Sequence, residues 1–158
     1  MKFKHYKQRG EWVEMLFMAR AAEHQLQVSK PFGDSASYDF VVEHDSQCFL
    51  VQVKSSTHQR HGGTCCQVRG SQRRAYVSGS FDFAAIYLIP ADAWYIIPTE
   101  QIAGQTSLFF SPKLRNSKYG QYEEAWYLLR EKPRGDTVPR IEACAADLQA
   151  VPQTAAWH

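Results

Sequence analysis

Between residues 11 and 25 apolar side chains recur at helical spacing. Trp12, Leu16 and Ala19 mark a stripe, and Val13, Met15, Phe17 and Met18 widen it. The pattern predicts a mostly buried helix. Lys30-Pro31-Phe32-Gly33-Asp34-Ser35 then breaks regular structure, because Pro, Gly and Asp/Ser all disfavour its continuation. Residues 38–43 and 48–56 read as strands joined by a short hairpin at His44-Asp45-Ser46-Gln47. His61-Gly62-Gly63 marks another turn, followed by a predicted strand over 64–69. Residues 83–89 and 93–97 are strongly apolar strands that end at Pro90 and Pro98, with a connection short enough to make them antiparallel neighbours. A late helix is predicted over 121–130, with Ala125, Trp126 and Leu129 on its apolar face. Beyond Lys132 the prolines, glycine and small residues predict an irregular tail over 132–158. The order of elements predicts an α/β (α+β) domain with a helix packed on a central mixed sheet.

The chain has 158 residues, 44% hydrophobic and 22% charged, which suits one globular domain and argues against disorder. No apolar run approaches the ~20 residues of a membrane-spanning helix. The basic start lacks the apolar stretch of a secretory signal, and Cys48, Cys65, Cys66 and Cys144 include no Cys-x-x-Cys pair. Reduced thiols in a cytoplasmic protein are the expectation.

Net charge is only +2, but its distribution is uneven. Residues 46–81 contain no Asp or Glu, while carrying Lys54, Arg60, Arg69, Arg73 and Arg74 with His58 and His61. Such a one-sign segment fits a polyanion site; a solvated loop that lacks acids is the plain alternative.

The informative anomaly is Phe49-Leu50-Val51-Gln52-Val53-Lys54. Strand side chains alternate, so Phe49, Val51 and Val53 share one face, and Leu50, Gln52 and Lys54 the other. Both faces are apolar until Gln52, which predicts a strand buried on both sides. A buried amide and ammonium demand partners. Asp39, the one acid in the preceding apolar run, and Glu14 on the first helix are the candidates. Together these residues make either an oxygen-ligand site for Mg²⁺ with a lysine beside it, or a structural ion pair of Lys54 with Asp39 or Glu14. A separate grouping, His58, His61, Cys65 and Cys66, offers ligands for a structural Zn²⁺ and with it a metal-stabilised interaction module.

Gly10-x-x-x-Glu14, Pro31-Phe32-Gly33, Tyr38-Asp39 and Val51-Gln52-Val53-Lys54-Ser55, in that order, resemble the PD-(D/E)XK nuclease superfamily. The likeness is to its group I intron-associated homing endonuclease branch, whose QxK variant motif has glutamine in place of the second acid. Phe83-Ala84-Ala85-Ile86-Tyr87 and Trp94-Tyr95-Ile96-Ile97-Pro98 extend it. The resemblance implies a restriction-endonuclease-like core over residues 1–131 and Mg²⁺-dependent hydrolysis of DNA phosphodiesters. It implies Asp39, Gln52, the Val53 carbonyl and Glu14 as metal ligands, and Lys54 as the catalytic lysine. Tyr38 stands where the family usually has proline, and the neutral Gln52 leaves the site one negative charge short. Ser55, Ser56, Arg60, Arg69, Arg73 and Arg74 are then expected to contact DNA phosphates. A homodimer or homotetramer is expected, since cutting both strands at a fixed offset is simplest with two sites related by a two-fold axis. A nuclease-fold DNA-binding or scaffold protein without efficient cleavage is the alternative.

Overall fold

The structure is a computed structural model and describes residues 5–33, 35–70, 74–112, 114 and 116–130. The tail expected over 132–158 and the candidate Arg73 lie outside the described residues. In chain order the elements are α1 (Tyr6–Glu23), β1 (Gln27–Ser29), β2 (Phe40–His44), β3 (Gln47–Ser56), β4 (Gln59–Arg60), β5 (Gly63–Gln67), β6 (Phe83–Leu88), β7 (Ala93–Pro98) and β8 (Ser107–Phe110). The main sheet runs β1-β2-β3-β6-β7. It is mixed because β3 and β6 are parallel while its other pairs are antiparallel. A small sheet, β4-β5-β8, is antiparallel throughout.

Helix α1 starts earlier than its apolar stripe predicts, and it buries one face rather than most of its surface. Val13, Phe17 and Ala21 recur four apart and are buried, whereas Met15 and Met18 are exposed. Ala and Met are good helix formers on either face, so their presence widens an apparent stripe without widening the contact. Phe17 anchors the helix, with its ring centroid 5.2 Å from that of Phe40, 5.7 Å from Trp94 and 5.6 Å from Trp126.

The alternation on β3 sorts the two sides of the sheet. Phe49, Val51 and Val53 join Phe40, Val42, Phe83, Ala85 and Tyr87 in the cluster that meets α1. The opposite side carries Ala84, Ile86, Leu88, Tyr95 and Ile97, covered by Cys66, Leu108 and Phe110 of the small sheet. Strand β6 is therefore sandwiched. Strand β3 falls short of the two-sided burial its sequence predicts: on its second face Leu50, Gln52 and Lys54 are half-buried and Cys48 is exposed.

The predicted late helix is a correction. Residues 121–130 form two short 3₁₀ turns, Gly120–Tyr122 and Trp126–Leu129, separated by an extended Glu123 and a left-handed Glu124. Strand β7 is the sheet's edge, and this segment closes it. Glu124 donates its N–H to the Trp94 carbonyl at 2.8 Å, and its carboxylate accepts from the Trp94 N–H and the Trp126 indole, each at 2.8 Å. Edge hydrogen bonds outbid the local helical preference. Ala125, Trp126 and Leu129 are nevertheless buried, as the apolar pattern requires.

Tyr87 illustrates how the core sets pH behaviour. Its hydroxyl donates to Asp92 Oδ1 at 2.6 Å. Burial first, then the Asp92 bond, hold its phenol up to about 12 from an ordinary 10.0. Between those values the folded chain keeps a proton that the unfolded chain has released, so folding stability falls as pH rises through the window. Denaturant unfolding on either side of that window should show this loss, and Tyr87→Phe should lessen it without removing it, because burial also raises Tyr76 and Tyr95.

Candidate active site

The β2–β3 hairpin turns through Asp45 and Ser46, with His44 paired to Gln47 and Asp45 in a left-handed conformation. Counting back along the ladder pairs Phe40 with Val51. Asp39, just before β2, therefore stands opposite Gln52, and its N–H donates to the Val51 carbonyl at 2.9 Å. Phe40 and Val42 face α1, so Asp39 faces the other side, with Gln52 and Lys54.

There the Asp39 carboxylate collects donors. The Val53 N–H donates to its Oδ2 at 2.7 Å. The Gln52 side-chain amide donates to the same oxygen and reaches the Val53 carbonyl at 3.4 Å. Burial raises the Asp39 pKa; the Val53 N–H and the Lys54 charge pull it back down. Glu14 raises it further and Lys30 lowers it.

Lys54 is half-buried and forms no ion pair among the described residues. Its ammonium lies 6.0 Å from the centroid of the Tyr76 ring, a distance at which the ring face attracts a cation. Tyr76 is buried and donates its hydroxyl to the Arg69 carbonyl at 3.1 Å. The structural ion pair offered as an alternative for Lys54 is therefore absent. The pair that does form is Glu14 with Lys30, at 2.6 Å. It ties the helix acid to the segment after β1 rather than to Lys54. Neither Lys30 nor Tyr76 stands out in the sequence, since each becomes part of the site only through tertiary contact.

The other candidates are dispersed around this cluster. Arg60, Arg69 and Arg74 are exposed, and Ser55 is half-buried. Ser56 is used internally: its hydroxyl donates to the Cys65 carbonyl at 2.6 Å and accepts the His58 N–H at 3.0 Å. Among the described residues no three His, Cys, Asp or Glu side chains gather to hold a metal. That corrects the zinc alternative. Adjacent residues on a strand point oppositely, so Cys66 is buried while Cys65 faces outward, and His58 and His61 are exposed.

Residues 4–129 match the model of the family described as PD-(D/E)XK endonuclease. The chain belongs to that family. Among solved structures it resembles a bacterial homing endonuclease, I-Ssp6803I, with a TM-score of 0.68 and 24% identity. That likeness covers 92% of this chain and 99% of the other, and it is a likeness of fold. The helix on a mixed five-stranded sheet is thus a restriction-endonuclease-like core. A search of curated proteins finds no match.

PD-(D/E)XK nucleases typically use a divalent metal. The donors here fit one: a carboxylate, a backbone carbonyl and an amide are the hard oxygen ligands that Mg²⁺ accepts. The Asp39 and Val53 oxygens both lie within reach of one Gln52 amide, so they converge. Glu14 stands near enough to act on the Asp39 charge, but its own carboxylate is held by Lys30.

The electrostatic balance at Asp39 has a measurable sign. Carboxyl-carbon NMR of the metal-free protein should place the Asp39 pKa above the usual aspartate range. Lys54→Ala should move it higher, because a cation that favours the carboxylate is lost. An unchanged value in the variant would mean that Lys54 does not act on Asp39.

Proposed function

We propose that the chain is a Mg²⁺-dependent DNA endonuclease of homing or restriction type, acting in the cytoplasm. The observation that carries this reading is the meeting of Asp39, Gln52 and the Val53 carbonyl on one sheet face, two residues from a lysine that forms no ion pair among the described residues. When bound, the cation supplies polarisation of a phosphoryl oxygen and a more acidic water. Asp39, Gln52 and the Val53 carbonyl hold it, with Glu14 adding negative potential. Lys54 orients the attacking water and offsets the charge that builds on the phosphoryl oxygens. Arg60, Arg69 and Arg74, with Ser55, grip flanking phosphates. A duplex is cut by two chains related by a two-fold axis, in a homodimer or homotetramer.

A second reading, a nuclease-fold DNA-binding or scaffold protein without efficient cleavage, is favoured by one observation. The neutral Gln52 amide already satisfies the Asp39 oxygen and adds no charge to attract a cation.

Variants separate the two. Asp39→Ala should abolish Mg²⁺ binding by calorimetry. Lys54→Ala should retain it while plasmid cleavage falls roughly 10²- to 10³-fold, the usual effect of removing one oriented charge-stabilising group. Gln52→Glu should tighten Mg²⁺ binding through the added carboxylate. Unchanged Mg²⁺ affinity in Gln52→Glu together with full cleavage by Lys54→Ala would overturn the assignment.

Light scattering should show a dimer or tetramer at working concentration. A monomer that still makes double-strand breaks would contradict the two-site arrangement.

A further inference from the structure

Apart from Arg60 on β4, the small sheet takes no part in the chemistry above, yet one of its faces is unusual. Paired residues on neighbouring strands share a face, so the registers Arg60↔Gly63, Cys65↔Phe109 and Gln67↔Ser107 define one row. The registers Thr64↔Phe110 and Cys66↔Leu108 define the other, which is buried. The first row faces outward, with Arg60, Gln67, Ser107 and Phe109 all exposed.

Its electrostatics are one-sided. All three strands fall within two stretches, residues 46–81 and 101–122, that contain no Asp or Glu. Phe109 is 47% exposed, and its ring lies over Gly63. A Cβ on Gly63 would come within 2.4 Å of that ring and 2.3 Å of the Phe110 carbonyl, so only glycine lets the ring lie there. The sheet is also rigidly mounted, because Cys66, Leu108 and Phe110 pack in the core beneath it. Strand β4 follows directly from β3, the strand that carries Lys54.

We propose that this outward face of β4-β5-β8 reads base edges of duplex DNA, with Gln67 and Phe109 as specificity-determining residues and Arg60 beside them. The proposal rests on the DNA reading above and assigns its sequence discrimination. The occupant follows from charge and residue type. An acid-free face admits a polyanion without repulsion. The major groove accepts a β-ribbon, where Gln pairs with adenine, Arg with guanine, and an apolar side chain contacts the thymine methyl. Phosphate gripping alone requires neither a glutamine nor an aromatic ring.

The test selects bound sequences from a randomised duplex pool, using the full chain in EDTA so that nothing is cut. Wild type should enrich a defined site. Gln67→Ala and Phe109→Ala should each lose preference at one or two adjacent base pairs, with discrimination falling roughly 5- to 100-fold. Their affinity for unselected duplex and the salt dependence of that binding should stay as in wild type, since neither removes a charge. Retained discrimination in both variants, with wild-type duplex binding, would overturn the role of the sheet and leave the DNA reading standing. Failure of wild type to retain any duplex would overturn both. Retained discrimination with a smaller particle for Phe109→Ala by light scattering would instead make the face a contact between copies of the chain. Circular dichroism on each variant, expected to match wild type, excludes misfolding as the cause.

Discussion

Asp39 meets Gln52 and the Val53 amide because β2 and β3 are joined by a tight turn that pairs Phe40 with Val51. Everything at the site follows from that register. Slipping β2 by one residue would send Phe40 and Val42 out of the α1 cluster and turn Asp39 into it. The apolar side of the hairpin therefore enforces the polar side. The rings of Phe17 and Phe40, 5.2 Å apart, hold the position of an acid on the opposite face. Stability and site geometry are here one constraint, because no strand can satisfy the core in one register and the site in another.

The same hairpin explains how a carboxylate survives where it is. Burial works against the charged form of Asp39. The Val53 N–H opposes it directly, at 2.7 Å, and it is a backbone donor fixed by the ladder. The Gln52 amide adds a second donor to the same oxygen. Lys54 acts from farther away, through its charge alone. A lysine bonded directly to Asp39 would neutralise it and lose the freedom to face a substrate. Held over the Tyr76 ring instead, it keeps its charge available.

How much of this was legible in the residues depends on the range of the interaction that decides each element. The hairpin and the sorting of β3 side chains between two faces are local patterns: a turn-rich tetrapeptide and period-two alternation. Hence Asp39, Gln52 and Lys54 could be placed on one face from sequence, and β6 and β7 recognised as antiparallel neighbours. Residues 121–130 were not legible, because Glu124 answers to Trp94, thirty residues earlier in the chain. The short strands β1, β4 and β8 carry too few residues for a period to emerge. Glu14 acts on the Asp39 charge, but its partner Lys30 lies beyond the helix, where no helical spacing points.

The neutral motif residue changes what the site must do before it can act. A second acid in place of Gln52 would repel Asp39 across the ladder, and a cation would relieve that repulsion on binding. Gln52 replaces repulsion with a hydrogen bond, so the metal-free arrangement is already satisfied. The amide that holds the Asp39 and Val53 oxygens together presents its nitrogen to both. To serve as a ligand it must turn its oxygen inward, and those hydrogen bonds must break. Under the function proposed above, cation binding at a QxK site therefore competes with an internal contact instead of relieving strain. The expected consequence is a weaker hold on metal and a better-ordered empty site. Negative potential must then come from outside the motif, and Glu14, close enough to act on Asp39 while paired to Lys30, is the group positioned to supply it.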